Sequence, residues 1–114
     1  VIASNTFPNG FALNPETGKN AIFGKNFGGI AGAGFLEIAA GQVAQCREHL
    51  PSEMSVYGVG GINDGFGMYT HIKAGADAVL VMSHIYKDRD LNKIAQILLG
   101  YQELVERWGD PTIR

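Results

Sequence analysis

Short apolar runs alternate with helix-like patterns along this chain of 114 residues. The runs at residues 54–59 and 78–82 each lead into a segment whose apolar residues recur every three or four positions. Strands that alternate with helices in this way form parallel βαβ units. The predicted strands are residues 1–3, 54–59 and 78–82, and the predicted helices are residues 35–50, a segment capped by Asn63 or Asp64 that reaches Ala76, and residues 91–108.

The unbroken apolar run at residues 78–82 is typical of a parallel strand that is buried on both faces. Three such strands neither close an eight-stranded barrel nor form a well-covered open sheet. Their exposed edges need a partner chain or a missing half of the fold. Because residue 1 already lies within a predicted strand, we expect an upstream part.

Residues 11–23 interrupt the alternation. Two short apolar runs, at 11–13 and 21–23, flank a loop that contains Pro15 and Gly18. This pattern predicts an antiparallel hairpin inserted after the first strand, with a turn at residues 5–10 between them. A glycine-rich loop is predicted next, at residues 24–34.

Charge and composition exclude several classes of protein. The net charge is −2 and the basic residues are scattered, so nothing indicates a nucleic-acid partner. No apolar run approaches the ~20 residues that a membrane span needs. The single cysteine, Cys46, lies within a predicted helix, excludes an internal disulfide and fits a reducing compartment. We therefore expect a cytoplasmic protein without a membrane span.

Two glycine-rich motifs stand ahead of predicted helices, one at residues 27–34 and one, Val-Gly-Gly-Ile, at residues 59–62. Glycine permits positive φ and leaves backbone N–H groups uncovered, and a following helix adds free N–H donors and a favourable dipole. Ser83, after the last predicted strand, adds a hydroxyl group. In βα barrels the loops after the last two strands commonly bind phosphate. The combination therefore predicts a phosphate site.

Each glycine pair taken alone is also explained by a tight turn between strand and helix. The first motif is not a dinucleotide fingerprint, because it follows a hairpin and no acidic residue ends a suitable strand downstream. Its combination with the second motif and with Ser83 is what favours phosphate binding over plain turns.

The histidines have no metal-ligand spacing with a cysteine or a carboxylate pair, so no metal site is predicted. His49 lies near a helix end and is expected at the surface. His71 is expected to be solvated or lightly packed. His84 follows Ser83 and could approach a bound phosphate, or be an ordinary loop residue. Lys25 could neutralise an anion, although an exposed lysine is the simpler interpretation.

In their order, these motifs resemble those of dihydroorotate dehydrogenases. Residues 4–6 (Ser-Asn-Thr) are similar to a strand end of that family, and residues 9–16 are similar to the hairpin of its soluble class 1 enzymes. Further similarities are a Gly-Gly-Ile loop at residues 27–32, a Gly-x-Gly-Gly-Ile turn at 58–62 and an Ala-Gly-Ala stretch at 74–79. The resemblance covers nearly the whole chain.

The resemblance implies an α/β fold that is the C-terminal part of a TIM (β/α)8 barrel. It implies one partial barrel domain over residues 1–114, with a hairpin insert at about 11–23 and FMN-phosphate-binding βα units at about 54–114. The implied activity is FMN-dependent oxidation of dihydroorotate to orotate in pyrimidine biosynthesis. Asn5 and Thr6 would then bind the substrate, and the expected FMN-binding residues are Ser4, Gly32, Gly60, Gly61, Met82 and Ser83.

The chain departs from the family's pattern at Ala31, where many members have glycine or serine, and at Met82, where class 1 members often have glycine. Backbone N–H contacts survive both changes. The family's catalytic base and flavin-contacting lysines belong to segments upstream of Val1, so no catalytic residue is assigned. Two other hypotheses stay open: a non-catalytic, self-associating half-barrel that binds a phosphate-bearing ligand, and the pyrimidine-reducing domain of dihydropyrimidine dehydrogenase.

Overall fold

The computed structural model describes residues 1–22, 27–86 and 88–113. An antiparallel pair of strands precedes a region in which strands and helices alternate, so the predicted α/β class is confirmed. The strands are β1 (Phe7–Gly10), β2 (Gly28–Ile30), β3 (Tyr57–Val59) and β4 (Ala78–Leu80). The helices are α1 (Leu36–His49), α2 (Gly65–Ala74), α3 (Ser83–Tyr86) and α4 (Asn92–Trp108), with a 3-10 turn at Ala33–Phe35.

β3 is the centre of a small parallel arrangement. On one edge it pairs in parallel with β4, with Tyr57 opposite Ala78. On the other edge the Tyr57 N–H donates to Val1 O at 2.7 Å, and the Ala3 N–H donates to Tyr57 O at 3.0 Å. A parallel bridge joins Ile2 to Tyr57. The three parallel segments predicted from the sequence therefore lie side by side in the part of the chain that the structure describes.

The antiparallel region extends beyond the predicted hairpin. β1 pairs with β2, with Phe7 opposite Ile30 and Gly10 opposite Gly28. Residues predicted as a turn and as a glycine-rich loop therefore contain strands, which corrects both predictions. Gly10 makes this pairing possible, because the Ile30 side chain fills the space that a Cβ on Gly10 would need.

The tip of this region is the predicted hairpin turn. The Ala21 N–H donates to Ala12 O at 2.9 Å, and Gly18 has a φ of 69°. That angle suits glycine, which has no Cβ to clash. Phe23, in the second predicted hairpin strand, and Lys25 lie outside the described residues.

The ends of α2 follow from its sequence. The Asp64 side chain accepts the N–H of Gly67 at 2.9 Å, so Asp64 and not Asn63 is the N-cap. The helix ends at Ala74, two residues earlier than predicted, because Gly75 adopts a φ of 130°.

The core lies between the parallel segments and the helices α1 and α2. It is centred on the buried side chains of Val43, Val56, Ile72 and Ala76. Cys46 packs against this cluster as a free, partly buried thiol. These contacts fix α1 and α2 beside β3, which places the loops that follow the strands.

The apolar stripe expected on α4 consists of Leu91, Ile94, Ala95, Leu98, Leu99, Leu104 and Val105, and of these only Leu104 and Val105 are partly buried. Ile97 is the buried residue of α4, and the closest approach is between Gly100 on α4 and Gly65 on α2. Large apolar residues of the predicted stripe are exposed instead: Leu91, Ile94, Leu98 and Leu99. The prediction is wrong for the first half of the stripe, where the contact between Gly100 and Gly65 turns the face that carries Ile97 inward. No helix in the described ranges has the length and apolar character needed to cross a bilayer.

The run at residues 78–82 is not buried on both faces within this chain, contrary to prediction. Leu80 is 40% exposed and Met82 is 68% exposed, and Ile2 in the neighbouring segment is also exposed. Alternate residues of a strand point to the same face. The described helices cover one face of the parallel segments, and the other face contributes to a cavity.

Candidate functional site

A cavity of about 600 Å³ lies where the three parallel segments end. Parallel strands bring their carboxyl ends to one edge, where α/β proteins commonly bind ligands. All eight residues predicted to bind substrate or cofactor line this cavity: Ser4, Asn5, Thr6, Gly32, Gly60, Gly61, Met82 and Ser83. Residues from opposite ends of the chain are therefore brought together.

The cavity also has walls that the sequence did not indicate. Phe7 on β1 stacks on Phe35, with ring centroids 4.8 Å apart and planes 18° from parallel, and both rings line the cavity. Phe7 lies in a predicted turn and is far from Phe35 in sequence, so no local pattern joined them. Ile2 and Leu80 also line it, and their alternation along the strands could have indicated this.

The turn after β3 needs glycine at two successive positions. Gly60 and Gly61 have φ angles of 115° and 74°, a region that side chains rarely adopt. A Cβ on Gly61 would lie 2.5 Å from the Leu36 Cα, and one on Gly60 would lie 2.9 Å from the Ala39 Cβ. α1 therefore packs directly against this turn and leaves its backbone facing the cavity. Gly32 also has a positive φ, of 139°.

Ser4 connects two of the segments that end at the cavity. Its hydroxyl group donates to Val59 O at 2.8 Å. This bond fixes the end of the first segment beside the turn that follows β3. The structure thus gives Ser4 a side-chain contact to the protein itself, in addition to its place on the cavity wall.

Asn5 and Thr6 are exposed at the cavity wall. The Asn5 Oδ1 accepts the N–H of Thr6 at 2.7 Å, which fixes the Asn5 side chain against the backbone. Gly29 on β2 makes room for the Thr6 side chain, because a Cβ on Gly29 would collide with the Thr6 Oγ1. The second glycine of the first motif is therefore a packing requirement at this wall.

The anion site predicted at the start of α2 is modified by the structure. Asp64 caps that helix and places a carboxylate at its first turn, where a free dipole was expected. The short helix α3 begins at Ser83, directly after β4. In βα barrels a phosphate site is frequently formed by the last loops together with such a short extra helix. Ser83 and the Gly60–Gly61 turn are thus the better candidates for anion contacts.

A second cavity, of about 440 Å³, adjoins the first and shares Gly32, Asn63 and Ser83 with it. Lys93 and His84 line this cavity. The Lys93 Nζ donates to His84 O at 3.0 Å and also pairs with Asp88. Lys93 was not singled out by the sequence, because it lies on the helix that follows, away from every glycine motif.

His71 is fully buried, so the prediction that it is solvated or lightly packed is wrong. Its Nε2 lies 2.9 Å from Gly60 O. A carbonyl oxygen only accepts, so the Nε2 carries the hydrogen. Burial lowers the pKa of His71, and the hydrogen bond to Gly60 O opposes this shift only in part, so the environment favours the neutral ring.

We expect His71 to make the stability of the fold depend on pH. Since its pKa is lowered on folding, the unfolded chain binds the proton more tightly. The contribution of His71 to stability is therefore present above its ordinary pKa of about 6.5 and is lost as pH falls toward the folded-state value. Urea unfolding measures the free energy of unfolding at pH 7.5 and at pH 5. The difference between the two values should be smaller in His71→Gln than in the wild type. His49→Gln, at an exposed helical histidine, should keep the wild-type change; equal changes in all three proteins would contradict the expectation.

Comparison with known proteins gives consistent matches. The family model described as dihydroorotate dehydrogenase matches residues 1–102. Dihydroorotate dehydrogenase A (fumarate) of Lactococcus lactis subsp. cremoris is 29% identical over 96% of this chain and 38% of its own length. Dihydroorotate dehydrogenase (quinone) of Brucella anthropi is 36% identical over 96% of this chain and 28% of its own length. The same-named protein of Delftia acidovorans is 36% identical over 73% and 22%. The chain thus spans less than two fifths of the length of these relatives.

Proposed function

The chain belongs to the dihydroorotate dehydrogenase family, and from that premise we propose that it supplies the FMN-phosphate wall and part of the substrate wall of an enzyme that oxidises dihydroorotate to orotate. In this proposal the three parallel segments are strands of a (β/α)8 barrel, and β3 and β4 are its last two. The cavity then lies at the carboxyl-terminal mouth of the barrel.

The observation that carries the proposal is the convergence of four separate segments on one cavity. Residues 4–6, Gly32, the Gly60–Gly61 turn and residues 82–83 all line it. Its volume of about 600 Å³ falls within the range of about 300–1,000 Å³ that is typical of small-molecule and cofactor sites. Glycines at positive φ and a serine hydroxyl group suit the phosphate end of such a ligand.

The residues on the cavity wall divide into two groups in this proposal. The backbone at Gly32, Gly60, Gly61 and Met82 and the Ser83 hydroxyl group hold the phosphate and ribityl chain of FMN. When bound, the flavin ring supplies the acceptor for the hydride that leaves the substrate. The apolar side chains of Ile2, Phe35 and Leu80 exclude water beside it.

Asn5 and Thr6 orient the substrate in this proposal. Their amide and hydroxyl groups can donate to and accept from the ring and carboxylate of dihydroorotate. The oxidation also needs a base that removes a proton from the bond being oxidised. No histidine, cysteine, lysine or carboxylate is among the described residues that line the larger cavity. We propose that the base belongs to a part of the enzyme outside these residues.

The phosphate assignment predicts that the chain binds FMN more tightly than riboflavin, which lacks the phosphate. A hydrogen bond to a charged group contributes about 1.5–3 kcal/mol. Ser83→Ala should therefore weaken FMN binding by about tenfold or more and leave riboflavin binding unchanged. Flavin fluorescence titration measures both affinities. Ser52→Ala, at an exposed serine away from the cavity, is the matched control.

Gly60→Val tests the turn itself. Its side chain would meet Ala39 and impose a strained φ, so the turn cannot keep its backbone at the cavity wall. The preference for FMN over riboflavin should be lost. Gly18→Val places the same side chain at another positive-φ glycine, in the hairpin turn with no atom within 4 Å of the added Cβ, and should keep the preference. Equal affinities of the wild type for FMN and riboflavin would overturn the proposed function.

A further inference from the structure

We propose that His71 is a positioning residue of the anion site, because its Nε2–H holds the Gly60–Gly61 peptide with the Gly61 N–H directed at the cavity. This inference rests on the function proposed above and adds a residue that does not itself line the cavity. It concerns how the turn after β3 is held, rather than which atoms touch the ligand.

The peptide bond between Gly60 and Gly61 sets the direction of the Gly61 N–H. No described peptide bond is cis, so the carbonyl of Gly60 and the N–H of Gly61 point in opposite directions. The Gly60 carbonyl accepts from His71, which is fully buried on the interior side of the turn. Both glycines line the cavity on the other side. The bond from His71 therefore turns the Gly61 N–H outward.

The imidazole of His71 is itself held in place. Its ring lies against Gly58 on β3, where an added Cβ would lie 2.9 Å from the His71 Cγ and even closer to the Nδ1. The side chain is 0% exposed. A buried ring in contact with a strand has little freedom, so it fixes the direction of the one hydrogen bond that it donates.

The other ring nitrogen of His71 does not explain why a histidine stands at this position. Its Nδ1 is buried and has no hydrogen-bond partner among the described residues. Burying a polar group without a partner opposes folding, and an aliphatic side chain would fill the same space without that cost. The bond to Gly60 is thus the feature that distinguishes histidine from an apolar residue here.

The need for such a contact follows from the turn. Gly60 and Gly61 both have positive φ, and glycine in this region loses more conformational freedom on ordering than other residues do. Without a fixed carbonyl, the peptide between them can rotate and exchange its N–H for its C=O at the cavity wall. A carbonyl there repels a phosphate, whereas an N–H attracts it.

The test compares two substitutions of similar size in the full chain. His71→Gln keeps an N–H donor on the side chain, and His71→Met fills the space without one. The measured quantity is the ratio of the riboflavin and FMN dissociation constants, from flavin fluorescence. We expect His71→Met to lower this ratio by about tenfold with unchanged riboflavin affinity, and His71→Gln to restore most of it.

The outcomes separate the two proposals. A wild-type ratio near one overturns the proposed function, and the positioning role with it. A preference for FMN that survives in His71→Met overturns the positioning role alone. An equal loss in both variants overturns it too, because ring packing rather than the donor would then matter. If His71→Met fails to fold, nitrogen NMR of the wild-type imidazole decides: hydrogen on Nε2 supports the role, and hydrogen on Nδ1 overturns it.

Discussion

Replacing Gly65 with alanine is expected to lower the free energy of unfolding by about 3 kcal/mol, the upper end of what overpacking usually costs. Gly65 is the first residue of α2 and faces the backbone of α4. An added Cβ would lie 2.6 Å from the Gly100 Cα and would overlap the peptide that joins Gly100 to Tyr101. Backbone atoms cannot rotate away as a side chain can, so α2 and α4 must separate.

Two further alanine substitutions calibrate this result. Gly100→Ala places its Cβ 3.2 Å from the Gly65 backbone, so we expect a smaller loss. Gly41→Ala, on an exposed position of α1 with nothing within 4 Å of the added Cβ, should gain about 0.5–1 kcal/mol from helix propensity. Urea unfolding followed by circular dichroism measures all three. A Gly65→Ala protein as stable as the wild type would show that the helices do not cross at this point.

Replacing Arg47 with methionine is expected to cost about 3 kcal/mol. The Arg47 Nε donates to Gly75 O at 3.0 Å and the Nη1 donates to Met54 O at 3.0 Å. The Nη2 forms an ion pair with Asp77 at 2.6 Å. One side chain therefore connects α1 to the segment before β3 and to the turn before β4.

The carbonyl contacts of Arg47 carry most of this effect. The Asp77 side chain is 51% exposed, and exposed ion pairs contribute only about 0–1 kcal/mol. Hydrogen bonds from a charged group contribute about 1.5–3 kcal/mol each. Arg47→Lys should recover only part of the loss. Lysine keeps the positive charge but has no planar guanidinium group that can donate to both carbonyls. Arg107→Met, at an exposed position of α4, is the control; an equally small loss in both methionine variants would contradict this account.

The parallel part of the fold was predictable because local pattern and global arrangement agree there. The apolar run before Gly60, the candidate caps Asn63 and Asp64, and Gly109 after the last helix each mark an element boundary in the sequence. Parallel pairing then places the strand ends at one edge without further information. That is why residues chosen for their position after strands line a single cavity.

The features that could not be predicted from the sequence depend on contacts between residues that are far apart along the chain. β1 and β2 form because Gly10 leaves room for Ile30, a relation that no periodicity encodes. In the first half of α4 the contact between Gly100 and Gly65 of α2 sets the inward face, and Leu98 and Leu99 stay exposed. His71 is buried because Gly58 leaves space beside the strand. Its polar residue type predicted exposure, which is wrong.

The pairing of residues 1–3 with β3 also affects the order in which the segments fold. The Ala3 N–H donates to Tyr57 O across 54 residues, whereas the Val56 N–H donates to the Asp77 side chain across 21. Because closure entropy grows with the logarithm of loop length, the longer loop costs about 0.8 kcal/mol more to close. We expect the wall at Ser4 to dock last during folding and to open first in the native state. Native-state hydrogen exchange should then be faster at the Ala3 amide than at the Asp77 amide, and the reverse order would refute this sequence of events.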